Sequence, residues 1–404
     1  MYLGLSQARL SPSGSLGNQI AALFINNEQG AWYDPSDLSS MYQEVIGVTP
    51  AVVGQPVGLL LDKRYGLVRG SELATNGSAT GTTGWSVNVG IMTNPGGTTI
   101  RADATGVGGE PVLSNACSVV AGRVYEVTFD LIGANNTGAV IVGGTRVAIP
   151  GGAINSGAKS LRIVAGATSA SGLAFGVNTG TAGYYIEVDN ISVREIPGNH
   201  AIQATSASRP TLQQDASGLY YLSFDGVDDS LATSAIDFTA TDKMTVWAGV
   251  TKLSDAATGV VIETSASYSV NAGALRLFAP GSDGAATYGV GFSGASDFSI
   301  GSVSTYAAPV SSVLSSAINL GASGLTNALQ IRVDGAGKTL SADDAYTTPG
   351  GNFGNYPLYI GRRGGTTLPL NGRIYGLIVR GSVSNAAQIA AAERYVAART
   401  GVAI

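Results

Sequence analysis

Catalysis needs bases, acids or nucleophiles at workable spacing, and this sequence offers few. It has one histidine, His200, and one cysteine, Cys117. Zinc sites draw on several His or Cys ligands, so the common sets are excluded. A Ser-His-Asp arrangement needs an acid that orients the imidazole. His200 sits instead in Gly198-Asn199-His200-Ala201, which leads into a strand, and is assigned a structural role. No Gly-x-x-x-x-Gly-Lys-Ser/Thr loop is present to cradle nucleotide phosphates. The 27 acidic residues could still supply the two carboxylates of a glycosidase. The densest group is Asp225, Asp228 and Asp229, in Phe224-Asp225-Gly226-Val227-Asp228-Asp229. A turn between strands is the favoured reading, ahead of a cation site and of a catalytic pair. With no fixed-period repeat of the β-helical kind, the expectation is a chain that is not an enzyme and uses no cofactor.

Sugar recognition asks for less. Aromatic faces stack on pyranose rings, and polar side chains bond the hydroxyls. Trp85, Tyr125, Tyr184 and Tyr185 are the candidates. Adjacent Tyr184 and Tyr185 point to opposite faces of a strand, so at most one faces the core. For Trp85, core packing is favoured over ligand stacking. Trp32 and Trp247 lie in apolar contexts that assign both to a core.

The elements that must position these residues are short strands. Glycine makes up 57 of 404 residues and charged residues only 12%, where about 7% and about 25% are usual. A chain rich in Ser, Thr, Ala and Val with Gly-rich turns favours strands over helices. The expected strands include Val57–Leu61, Val124–Phe129, Ala139–Val142, Tyr184–Val193, Tyr220–Phe224, Met244–Val250, Gly259–Glu263, Ala274–Phe278, Ala328–Val333, Leu358–Gly361 and Ile374–Val379. Asp34 or Ser36 caps a helical turn through Tyr42. One long helix is expected, Asn385–Thr400, capped by Ser384 and stopped by Gly401.

Charge and hydropathy narrow the partners. The net charge is −5, and the 22 Lys and Arg residues form no basic run, which excludes a phosphate-tracking surface for nucleic acid. No apolar run approaches the ~20 residues of a membrane-spanning helix. Met1-Tyr2-Leu3-Gly4-Leu5 lacks the features of a secretory signal, and a lone cysteine suits a cytoplasmic place of assembly.

Two textures divide the chain. The stretch Trp32-Tyr33-Asp34-Pro35-Ser36-Asp37, then Gly54-Gln55-Pro56-Val57-Gly58 and Leu61-Asp62-Lys63, resembles the opening of the concanavalin A-like (laminin-G-like) domains of bacteriophage virion proteins. In that family a Gly-Asn-His-Ala type segment follows the Asp-Lys directly. Here Gly198-Asn199-His200-Ala201 arrives about 135 residues later and leads into Ser208-Arg209-Pro210-Thr211-Leu212. The Asp225–Asp229 turn, Gly372-Arg373-Ile374-Tyr375-Gly376-Leu377-Ile378-Val379 and the helix ending Glu393-Arg394-Tyr395 also fit. The intervening segment, with Asn76-Gly77-Ser78, Trp85 and Val188-Asp189-Asn190-Ile191-Ser192-Val193, resembles jelly-roll carbohydrate-binding modules. That family often continues Asn-Gly-Ser with Phe-Glu. This chain has Ala79-Thr80, which puts in doubt the structural calcium the pattern would imply.

The resemblance implies an all-β chain of two sandwiches, one inserted in the other. Residues 1–19 form an N-terminal attachment arm, 20–65 and 198–404 a split concanavalin A-like domain, and 66–197 the inserted module, with one C-terminal helix. It implies a structural protein of the virion, assembled in the host cytoplasm. The arm would bind other virion proteins, and a homo-oligomer, a trimer by preference, would supply robustness that disulfides cannot. A tail or surface fibre that binds host-surface glycans leads. A capsid decoration or head-fibre protein is the alternative, and a polysaccharide-degrading enzyme comes last.

Overall fold

The computed structural model describes residues 15–149, 156–342 and 346–404. Antiparallel strands dominate, as the composition requires. Two compact units emerge. The first comprises residues 1–41, 51–66 and 198–404, and the second residues 42–50 and 67–197. Most of the attachment arm, residues 1–14, lies outside the described residues. Its last residues are not arm-like: Ser15 caps the helix Leu16–Ala21 through the Asn18 N–H, and Ile20 is fully buried.

The first unit is a two-sheet sandwich. One sheet runs Thr211–Gln214, Tyr220–Asp225, Asn371–Arg380, Lys243–Lys252, Val310–Asn319, Leu329–Val333 and Ala336–Gly337, with Gly30–Tyr33 also paired to Asn371–Arg380. The other holds ten strands among the described residues, with Ala201–Ile202, Leu231–Asp237, Asn355–Ile360, Val260–Thr264, Leu275–Phe278 and Tyr288–Ser293 at its centre. Packing on both faces buries the strand Lys243–Lys252 from Met244 onward. Met244, Val246, Ala248 and Val250 face the second sheet and its core. Trp247, on the opposite face, joins Trp32, Ile378, Val313, Tyr395 and Val396 beneath the C-terminal helix Ala386–Thr400. The helix can approach because position 249 is glycine. A Cβ there would stand 2.3 Å from Thr400 Oγ1 and 2.8 Å from Val396 Cγ1. Truncating a tryptophan as buried as Trp247 costs about 3–5 kcal/mol.

The helix cap differs from expectation. Asn385, not Ser384, accepts the Gln388 N–H, and Gln388 reaches back to the Asn385 N–H in a capping box. Ser384 instead receives a hydrogen bond from the Arg380 guanidinium. The turn expected between Asp34 and Tyr42 is shorter, a single 3-10 turn at Leu38–Ser40 capped by Asp37. Val57–Leu61 is a strand only at Leu59–Leu60.

The second unit is also a sandwich, of two five-stranded sheets. One runs Gly157–Val164, Val124–Ala134, Tyr185–Ile196, Ile100–Asp103 and Ile91–Thr93. The other runs Thr145–Ala148, Ala139–Val142, Leu173–Gly176, Val112–Asn115 and Trp85–Val87. Trp85, Phe129 and Phe175 interlock at its centre, with ring centroids 6.3 Å (Trp85–Phe175) and 5.0 Å (Phe129–Phe175) apart.

Candidate functional site

The two halves of the interrupted motif meet. Asp62 is fully buried, and its carboxylate accepts the N–H groups of Trp32 (2.9 Å), Arg64 (3.0 Å) and Asn199 (2.8 Å). In return the Asp62 N–H donates to His200 Nδ1 at 3.0 Å. The Tyr33 hydroxyl donates to the Asn199 carbonyl. One carboxylate therefore gathers backbone donors from as far as 137 residues away in the chain. His200 is 7% exposed and engaged in this seam, which suits a structural role. Cys117 is buried, and burial first, then the nearby Glu72 charge, pushes its thiol up to about 11, far from the thiolate form a nucleophile needs.

The Asp225, Asp228 and Asp229 carboxylates place one oxygen each within 4.8 Å of one another. Each is also tied into the turn. Asp225 accepts the Val227 and Asp228 N–H groups, Asp228 accepts the Ser208 hydroxyl, and Asp229 accepts the Asp225 N–H. Asp229 is pushed up to about 7 by burial and by the charges of Asp225 and Asp228, against its hydrogen bond from the Asp225 N–H. The turn reading accounts for these bonds.

The four aromatic candidates for sugar stacking occupy different settings, and Trp85 takes the core position favoured for it. Trp85 is 6% exposed, packs in the core and donates from Nε1 to the Asn76 carbonyl. Tyr125 is buried, and its hydroxyl oxygen accepts the Val120 N–H. Tyr184 is half-buried against the core. Tyr185 faces outward, but its edge lies over Gly133 and the Arg101 guanidinium stands 3.6 Å from its ring centroid. Core packing and a cation–π partner have already taken the surfaces that stacking would use.

Residues the sequence reading did not single out form a more open polar site. In the sheet containing Leu173–Gly176, Phe175 and Leu113 point into the core, so Ala174, Gly176 and Ser114 point outward. Ladder pairing extends one outward row through Ser86, Ser114, Ala174, Ile141 and Arg146. Ser86, Ser114 and Ala174 keep most of its floor low, with Ile141 next to Arg146. Glu110 rests over Gly176, where a Cβ would stand 2.2 Å from Glu110 Oε1. That oxygen accepts from Arg146 Nη2 and, at 2.8 Å, from the Asn178 N–H. Arg146 Nη2 also reaches Asn178 Oδ1 at 3.3 Å. Among the described residues, Glu110 Oε2 and Arg146 Nε and Nη1 have no protein partner. Both side chains are partly exposed, at 25% and 35%. This face presents acceptors and donors that are held in place yet not used up. Glu110 and Arg146 are 36 residues apart. The available signal was the strand alternation that turns Gly176 outward beside inward Phe175.

No protein-family model matches the chain, and no curated protein matches it. Among solved structures, the CBM40 module of the Ruminococcus gnavus IT-sialidase, bound to alpha2,3 sialyllactose, is similar over 38% of this chain and 83% of that chain, at 13% identity and a TM-score of 0.30. The binding domain of botulinum neurotoxin DC in complex with SialylT is similar over 48% of each chain, at 9% identity and a TM-score of 0.34. Each overlap spans less than half of this chain and assigns it to no family.

Proposed function

We propose that this chain is a non-catalytic, glycan-binding protein displayed on a bacteriophage particle, with its sugar-contacting face on the inserted sandwich. The observation that carries the reading is the Glu110–Arg146–Asn178 set over its floor of mostly small residues. A hydroxyl-rich ligand needs fixed donors and acceptors at close range, and a flat floor lets a ring settle between them. The virion part rests on the resemblance carried by Asp62-Lys63 and Gly198-Asn199-His200, now joined by direct hydrogen bonds. Attachment through residues 1–14 and assembly as a homotrimer belong to the same reading, and light scattering of the purified chain tests the trimer.

The test is a glycan array probed with the wild-type chain, Arg146→Gln and Glu110→Gln. Binding to one or more envelope glycans is expected, with about ten-fold loss in each variant, equivalent to about 1.4 kcal/mol. No binding by the wild type, or equal binding by all three, overturns the reading. One observation favours a second reading, a capsid decoration protein without sugar binding: of the four candidate stacking aromatics, Trp85 and Tyr125 are buried in the core and the Tyr185 ring is already partnered by Arg101. Antibody labelling of particles, head against tail, separates the two.

A further inference from the structure

The ten-stranded sheet of the first unit holds a cation with no acceptor. Arg276 sits on Leu275–Phe278, directly opposite Glu263 on one side and Gly291 on the other. It is 6% exposed, and its Nε is buried without a hydrogen-bond partner. Glu263 would be the natural partner, but both of its oxygens are engaged. Oε1 accepts the Tyr268 N–H at 2.7 Å, and Oε2 accepts Arg363 Nε at 3.0 Å. The Arg276 head lies instead against two rings, 4.4 Å from the Tyr268 centroid and 4.6 Å from that of Phe278. Those rings can lie there because Gly291 and Gly289 have no side chains. A Cβ would stand 2.6 Å from Tyr268 Cε2 at Gly291 and 2.0 Å from Phe278 Cε2 at Gly289.

The charges do not balance. Two guanidinium groups stand near one carboxylate; Glu263 ion-pairs with Arg363, and among the described residues Arg276 has no ion-pair partner. A guanidinium keeps its charge in any protein, and a buried charge lacking hydrogen bonds is costly. Rings offset only part of that cost. A planar oxyanion would supply what is missing: a negative charge, and acceptors matched to the guanidinium fork. The solvent-facing members of the cluster are Arg363, 23% exposed at its side chain, and Phe298, 42% exposed and in T-shaped contact with the Tyr268 ring.

We propose that Arg276 and Arg363, with the Tyr268 ring beside them, bind an oxyanion carried by a ligand. The site is distinct from the Glu110–Arg146 face and does not depend on it. A uronic-acid carboxylate and free sulfate share the required chemistry, and the experiment distinguishes them. Sodium glucuronate, sodium sulfate and glucose are titrated into the full chain at matched ionic strength. Binding is followed by calorimetry and by the Arg276 Nε–H signal in arginine-selective 15N labelling. Glucuronate binding that moves this signal, with no response to glucose, is expected, and it should weaken about ten-fold in Arg363→Gln and vanish in Arg276→Met. An equal response to sulfate keeps the site and names the free anion as occupant. No response of the wild type to either anion overturns the proposal, as does binding that leaves the Arg276 signal unmoved; this second readout holds even if Arg276→Met fails to fold. Arg146→Gln should leave this response intact, so failure here and failure of the glycan-face reading remain distinguishable.

Discussion

Asp34 is where a single charge should matter most to the first unit. It is 1% exposed, and both carboxylate oxygens are occupied. Oδ1 accepts the Ser36 N–H and hydroxyl and Arg399 Nε at 3.0 Å; Oδ2 accepts Lys63 Nζ at 3.2 Å and the Tyr395 hydroxyl at 2.5 Å. Burial alone would raise its pKa, but the hydrogen bond and charge of Arg399, then Lys63 and Ser36, more than reverse this and bring it from 3.8 to about 2. That shift is worth roughly 2.4 kcal/mol at 1.36 kcal/mol per unit. The folded-state value lies below the unfolded one, so the contribution is present above the unfolded pKa and is lost as pH falls toward the folded one. Asp34→Asn should therefore cost roughly 2–3 kcal/mol at pH 7, with the gap to wild type about halved by pH 3. Urea unfolding at pH 7, 5 and 3 measures it, in a Trp85→Phe background so that Trp32 and Trp247 report on the first unit alone. A gap that stays constant from pH 7 to pH 3 would refute the electrostatic account and leave packing as the cause.

Asp62→Asn removes the charge from a buried carboxylate that collects three backbone donors and the Arg64 guanidinium at 3.1 Å, so it should lower stability by about 3–5 kcal/mol, read as the urea midpoint of the same fluorescence transition. Asp229 has the opposite sign. Its folded pKa is raised to about 7, so its ionisation costs stability as pH climbs past 4 toward 7; Asp229→Asn should be the more stable form at pH 8, by up to about 4 kcal/mol at 1.36 kcal/mol per unit, and match wild type below about pH 3. Adding calcium should leave the wild-type melting temperature unchanged, and a rise that disappears in Asp229→Asn would assign the acidic turn a cation after all. Replacing residues 67–197 by a short Gly-Ser link, with Ile46 and Val48, which pack into the second unit's core, changed to Ser, should leave a chain that keeps its far-UV β spectrum and a cooperative Trp32/Trp247 unfolding transition; loss of that transition would sink the idea that the split domain closes on the Asp62–Asn199 seam.

Strands were legible because their signal is local. Ala139–Val142 matches its expected bounds, and Val124–Phe129 is the start of a strand that runs to Ala134. The motif halves were legible because they are short, ordered and chemically distinct, although nothing at residue 62 announces a partner 137 residues away. The short helix Leu16–Ala21 was missed for a physical reason. Its segment is polar, and it forms where Ile20, Leu23 and Phe24 can pack with Trp32 and the C-terminal helix. Isolated helices of that length do not persist on propensity alone.

Side-chain function was harder to read, because an aromatic residue is as useful to a core as to a ligand. Trp85 and Tyr125 were chosen by type, and type does not say which way a strand faces when both faces carry apolar residues. The charged sites show the reverse problem. Glu110, Arg146, Glu263, Arg276 and Arg363 are unremarkable one by one; sheet register sets Glu263 opposite Arg276, and loops bring Glu110 to Arg146 and Arg363 to Glu263. Glycine is the useful pointer here. Gly289 and Gly291 lie inside the strand Tyr288–Ser293 and Gly176 ends the strand Leu173–Gly176, and a glycine in a strand often marks a place where another group must come close. At Gly176 that group is a carboxylate, and at Gly289 and Gly291 it is the pair of rings that enclose Arg276. Glycines within and at the ends of strands therefore point to the polar sites of this chain better than its aromatic residues do, because they record the space a functional side chain needs rather than the side chain itself.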